Sequence, residues 1–171
     1  AKKKGIFVGA NFIIGFPTET WDEIRETIRV AENLNVDYAK IFIALPLRNT
    51  ELFDLAKETD SLLMDPTDAK TMWTVGGVIK SKHWSVDDLT ILRAYEWDRI
   101  NFSDPKKLKK TANRMGITVD ELNVTRRRTM DYAKKTISDR KSAHPNSSVK
   151  KAADITLVSS EKSSSSLEKK H

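Results

Sequence analysis

An apolar run from Ile6 to Phe16, closed by Pro17 and followed almost at once by a helix-capping signal, leaves this chain few choices of fold. The run is short, rich in Ile, Phe and Val, and has Asn11 as its strongly polar member. It reads as a parallel strand buried on both faces. Thr20-Trp21-Asp22-Glu23 then has the form of a capping box, with Thr20 as N-cap and Glu23 reaching back to it. Ile24, Ile28, Ala31 and Leu34 follow at helical spacing and predict one apolar stripe against a sheet. Tyr38–Leu45 is the next predicted strand and Pro46 ends it. Asn49 or Thr50 can cap a second helix, whose stripe is Leu52, Leu55 and Ala56. Strand, helix, strand, helix with short links is a βαβ pattern with parallel strands. One such unit cannot cover both faces of a parallel sheet, and the chain starts at Ala1, so we expect a piece of a longer α/β protein.

The pattern changes after Thr59. A loop is predicted over Asp60–Thr71, and Met72–Ile79, with Gly76-Gly77, fits a short helix, a strand or a turn. Ser85 can cap a long helix over Val86–Phe102, with Leu89, Leu92, Tyr95 or Glu96, and Arg99 or Ile100 at the expected intervals. Charge pairs on that helix, Glu96 and Asp98-Arg99, read as a solvated face. Asp104-Pro105 precedes a helix over Lys106–Met115, Gly116 ends it, and Thr118 or Asp120 starts another running to about Ser138. From Ala143 onward serine and lysine dominate, a composition too polar to bury a core and expected to be disordered. Charge follows the same division: Ala1–Ser103 carries 13 Lys+Arg against 16 Asp+Glu, and Asp104–His171 carries 17 against 8. The expected layout is therefore an α/β part over 1–60, a connecting segment over 61–84, a helical extension over 85–142 and a tail over 143–171.

The most informative stretch is Phe12-Ile13-Ile14-Gly15-Phe16-Pro17-Thr18-Glu19-Thr20. It puts a glycine and a proline at the carboxyl end of a parallel strand, where ligands of α/β sheets bind, then an acid and a helix N-terminus. Gly15 has no Cβ and would let a flat ligand approach the backbone. The helix N-terminus offers amides suited to a carboxylate or a ribose. On these grounds alone a plain tight turn is the preferred reading.

This stretch resembles the strand-end motif of radical S-adenosylmethionine enzymes with a Gly-Phe-Pro-Gly-Glu-Thr consensus. Leu45-Pro46-Leu47-Arg48-Asn49-Thr50-Glu51-Leu52 is similar to the segment that closes the next strand of that family. The resemblance implies the C-terminal part of a (β/α)6 partial TIM-like barrel, with these as its fifth and sixth strands, followed by an α-helical extension. It implies adenosyl-side binding and loop shape for Ile13, Gly15, Phe16, Pro17 and Glu19, and a neighbouring strand end at Pro46, Asn49 and Thr50. It also implies S-adenosylmethionine and a [4Fe-4S] cluster as cofactors, and an enzyme that cleaves S-adenosylmethionine reductively to start radical chemistry. Trp97–Phe102 and Met115–Arg128 resemble the helical extension of the cobalamin-binding branch, which brings in cobalamin as a further cofactor. Two departures matter: Thr18 and Asn49 stand where the family has glycine, and asparagine tolerates positive φ better than threonine does.

The chain has no cysteine, so it holds neither disulfides nor a thiolate-bound cluster. The family's C-x-x-x-C-x-x-C motif would have to lie in a missing N-terminal part of the same protein, which is the expected partner. His83, His144 and His171 are too far apart for a metal site, and we assign no catalytic and no metal-ligating residue. No apolar run reaches membrane-spanning length and no signal peptide is visible, so a cytoplasmic protein is expected. A competing reading is a basic helix-turn-helix-like module over 106–138, with Arg126, Arg127 and Arg128 meeting phosphates. Packing of a helical hairpin is the preferred account of those residues, and nucleic acid is not an expected partner. A non-catalytic interaction fragment is the remaining alternative. Trp73, His83, Trp84 and Trp97 are read as packing anchors.

Overall fold

A computed structural model describes residues 1–63 and 77–143. The chain divides into two compact units, Ala1–Ile137 and Ser138–His171; the described part of the second, 138–143, is helical. Trp73, Gly76 and the serine-rich tail lie outside the described residues. The elements are β1 (Gly9–Ile14), α1 (Trp21–Asn33), β2 (Tyr38–Ile43), α2 (Glu51–Glu58), α3 (Val86–Phe102), α4 (Pro105–Met115) and α5 (Val119–Ala143). Among the described residues the fold is mixed α/β, with five α-helices and one parallel sheet of two strands.

Local chemistry sets most of the boundaries. The Thr20 hydroxyl accepts from the Glu23 amide while the Glu23 carboxylate accepts from the Thr20 amide, closing the capping box of α1. Thr50, and not Asn49, caps α2, its hydroxyl accepting from the Phe53 amide. Asn49 instead takes the left-handed turn position at φ 64°. Ser85 and Asp88 form the capping box of α3, and Thr118 accepts from the Glu121 amide at the start of α5. Gly116 ends α4 at φ 70°. The helix expected from Lys106 starts one residue earlier, because Pro105 occupies the first helical position behind the Asp104 cap.

The strands pair in register from Gly9↔Tyr38 to Ile14↔Ile43, and the Ala44 amide continues the ladder to the Ile14 carbonyl at 2.8 Å. The prediction that β1 is buried on both faces does not hold. Ile14, Ala39 and Ile41 are buried, whereas Asn11, Ile13, Lys40 and Phe42 on the opposite face are exposed. A layer of helices covers one face, so the strands alternate in burial as half-covered strands do. Ile24, Ile28 and Ala31 of α1 are buried as their spacing predicts, but Leu34 is exposed because the helix has already ended at its cap.

Helix α3 departs furthest from its sequence pattern. It is buried on more than one side, including Leu89, Thr90, Ile91, Glu96, Asn101 and Phe102. Its expected solvated charges are tertiary clamps. Arg99 forks onto the Glu32 carboxylate of α1 and also holds the buried Glu96. Asp98 takes both Nε and Nη2 of Arg126 from α5, at 2.7 and 2.9 Å. Arg126 is thereby committed inside the fold, with its guanidinium also over the Phe102 ring. The α4–α5 hairpin packs Leu122 and Ala112 against Phe102, which disfavours a nucleic-acid-reading module over 106–138.

Asp37 ties the start of β2 to its surroundings. Its carboxylate accepts from Lys110 of α4 and from the Val8 amide at 2.9 Å, with Lys2 at 3.9 Å. The Lys110 hydrogen bond first, then the Val8 amide, hold its carboxyl below the ordinary carboxylate range. The folded pKa lies below the unfolded one, so this stabilisation is present above roughly pH 4 and is lost as pH falls through the depressed value. Asp37→Asn is expected to lower the melting temperature at pH 7, with the gap to the native chain closing toward pH 2. A gap independent of pH in thermal scans would contradict this account.

Candidate functional site

Strand β1 delivers the chain at its carboxyl end into a tight latch. Gly15 takes φ 89°, which L side chains rarely adopt. One oxygen of the Glu19 carboxylate accepts from both the Gly15 and the Phe16 amides, the latter at 3.1 Å. The Glu19 amide in turn donates to the Phe16 carbonyl at 3.0 Å. Burial raises the Glu19 pKa above the ordinary carboxylate value, opposed by the two amide hydrogen bonds, while the neighbouring Glu23 charge adds to the rise. Pro17 is buried beneath the turn and Thr20 opens α1 directly after it. Thr18 does not take a positive φ, so the loop accommodates threonine at that position without left-handed strain.

Two residues read from the sequence only as packing positions complete the latch. The Trp84 indole N–H donates to the Glu19 carbonyl at 2.8 Å, and Trp84 is buried. Leu89 of α3 sits so close that a Cβ on Gly15 would lie 2.6 Å from its Cδ1, with Ile43 and Trp84 also in contact range. The space beside Gly15 is therefore taken by the protein itself. On that side the glycine serves the positive φ and the approach of α3.

What the strand end does offer is apolar surface. Ile13, 49% exposed, pairs across the ladder with Phe42, 40% exposed, and Phe16 in the following turn is 37% exposed. Large apolar side chains left open at the carboxyl ends of parallel strands suit the flat part of a ligand. The other three candidate residues have local structural duties: Pro46 is buried, Asn49 makes its turn, and the Thr50 hydroxyl bonds the Leu47 carbonyl at 2.7 Å and caps α2. The first turn of α1 is already served by Asp22 and by the Thr20–Glu23 box, so no anion site is assigned to it. Among the described residues no group of His, Asp and Glu could hold a metal ion, and no helix is long and apolar enough to cross a membrane.

Known proteins are similar to part of the chain. Over 92 residues, 54% of the chain, it is 37% identical to an uncharacterized methyltransferase of Pyrococcus horikoshii. Over 60 residues, 35% of the chain, it is 33% identical to the tRNA-2-methylthio-N(6)-dimethylallyladenosine synthase of Aeromonas hydrophila. The matches span 20% and 13% of those proteins, so the chain corresponds to a minor part of each. No family model and no solved structure matches the chain.

Proposed function

We infer that this chain is part of an S-adenosylmethionine-dependent enzyme of the radical type, and that its share is to hold the adenosyl group at the carboxyl end of β1. The observation that carries this reading is the exposed Ile13–Phe42 pair beside a turn fixed by Glu19 and Trp84. A flat purine needs apolar contact and a rigid neighbour more than it needs charge. Similarity to a methyltransferase and to a methylthio-forming synthase supports the same cofactor.

The residues present fit the adenosyl half of that cofactor and not the cluster. Ile13, Phe16 and Phe42 would form the platform, and Glu19 fixes the loop that carries Phe16 without touching the ligand. When bound, S-adenosylmethionine supplies a sulfonium-activated carbon. The chain's own contribution is to shape one wall and to exclude water from it. With no cysteine, the chain has no donor set for a [4Fe-4S] cluster, and no step through one is derived. Nothing in the described residues speaks for cobalamin.

A partial barrel is the larger frame proposed for this unit. Two features support it. The face carrying Asn11, Ile13, Lys40 and Phe42 is uncovered. The outer side of β2 is closed at Ala39, whose N–H and carbonyl both bond the Asn101 side chain at 2.8 Å. Further strands would then add beside β1, leaving β2 as the last.

Titration of the chain with S-adenosylmethionine tests the reading. Ile13→Glu changes an exposed residue and should keep the fold, yet it is expected to weaken binding about tenfold or more by charging the platform. Unchanged affinity in a variant with a native circular dichroism spectrum would sink the assignment.

A further inference from the structure

A second cleft lies along β2 on the side of α3 and α5, and its chemistry is different. It encloses about 420 Å³ and is bordered by Lys40, Phe42, Arg93, Trp97, Arg128 and Tyr132. The lining follows from periodicity. Lys40 and Phe42 share the uncovered face of β2, Arg93 and Trp97 are one turn apart on α3, and Arg128 and Tyr132 are one turn apart on α5. Three cations border the cleft and no carboxylate does. None of the three has an ion-pair partner among the described residues, whereas Arg99 and Arg126 nearby are both forked onto acids. Arg93 is the sharpest case. Its Nε is buried with no hydrogen-bond partner, and burial lowers its pKa. A buried guanidinium donor left unmet is costly unless a ligand meets it.

The aromatic residues supply the second half of the recognition. Tyr132 is 45% exposed and Phe42 40%, so ring faces are open to a planar group. Trp97 is fixed by donating its indole N–H to the Tyr38 hydroxyl at 3.0 Å and by an edge-on contact with Phe102. The volume lies in the range of pockets that take one small ligand. We propose that this cleft binds a nucleoside monophosphate or a molecule of the same chemistry, with the phosphate taken by Arg93, Arg128 and Lys40 and the base laid against Phe42 and Tyr132. Phe42 is shared with the platform at Ile13, whereas Arg93, Arg128 and Tyr132 are not part of it; the proposal rests on the lining of the cleft and not on the S-adenosylmethionine reading.

Intrinsic fluorescence titration of the full chain with guanosine 5′-monophosphate, guanosine and inorganic phosphate tests it. The monophosphate is expected to bind more tightly than either fragment, because each fragment satisfies half of the cleft. Arg128→Gln and Tyr132→Ala alter exposed positions and are each expected to weaken the monophosphate about tenfold with circular dichroism unchanged. Equal affinity for phosphate alone would overturn the planar half of the proposal. Native affinity in both variants, or no saturable binding of the monophosphate, would overturn the site. A ten-nucleotide RNA that binds where the mononucleotide does not, with affinity falling steeply in salt, would replace the small ligand with a polymer and also overturn it.

Discussion

Asn101→Leu is expected to destabilise the folded unit by about 3–5 kcal/mol, the largest effect of any single substitution considered for this chain. Asn101 is fully buried on α3. Its side-chain carbonyl accepts from the Ala39 amide at 2.8 Å, and its NH2 donates to the carbonyls of Ala39 and Trp97, both at 2.8 Å. The amide thus stands in for a neighbouring strand, meeting both polar groups that Ala39 turns away from β1. Leucine has nearly the same volume but can meet none of them. The cost comes from stranded backbone groups in a low-dielectric interior, not from a cavity. Chemical denaturation measures it, and Asn33→Leu on the exposed face of α1 serves as the comparison, expected within about 0.5 kcal/mol of native. Similar small costs for both would mean that the Asn101 clamp does not hold the sheet edge.

Gly15→Ala should cost about 2–4 kcal/mol through two separable causes. The backbone sits at φ 89°, and the new methyl would meet Leu89 Cδ1 at 2.6 Å. Leu89 is fully buried and can yield only by disturbing the packing of α3. A double-mutant cycle with Leu89→Ala separates the causes. The contact portion should be recovered as a favourable coupling, and the φ portion should persist. Full recovery would show that the turn tolerates an L residue and that only the Leu89 approach demands glycine. The same substitution reaches function, because moving the turn moves Phe16 relative to the Ile13–Phe42 pair.

What could be read from the residues was the local chemistry. Thr20, Thr50, Ser85, Thr118 and Gly116 each act within a few residues of themselves, and each bounds a helix as its type suggests. The parallel pairing followed from two strands flanking a capped helix. Long-range partners were not legible. Nothing about Asn101 in sequence says that it will clamp a strand 62 residues away. Trp84 looked like a packing residue and is one, but its indole N–H also fixes the Glu19 turn. Arg99 and Asp98 looked like helix-surface charges, yet they bridge to α1 and α5. The apolar composition of β1 suggested burial on both faces, and Ile13 is half exposed because apolar residues also mark surfaces that wait for something. Gly15 was read as room for a ligand, and nothing in the residues around it signals that Leu89 approaches it from the distant helix α3.

A platform at the end of β1 requires that the adenosyl half of S-adenosylmethionine, and not the methionine half, meet this chain. Saturation-transfer difference NMR on the chain with S-adenosylmethionine tests that directly, and it tolerates weak binding by a unit that supplies one wall of a site. Saturation should pass most strongly to the adenine and ribose protons, weakly to the methionine methyl, and should drop sharply in Ile13→Glu. Saturation centred on the methionine end, or an adenine signal that survives Ile13→Glu unchanged, would contradict the platform at the end of β1.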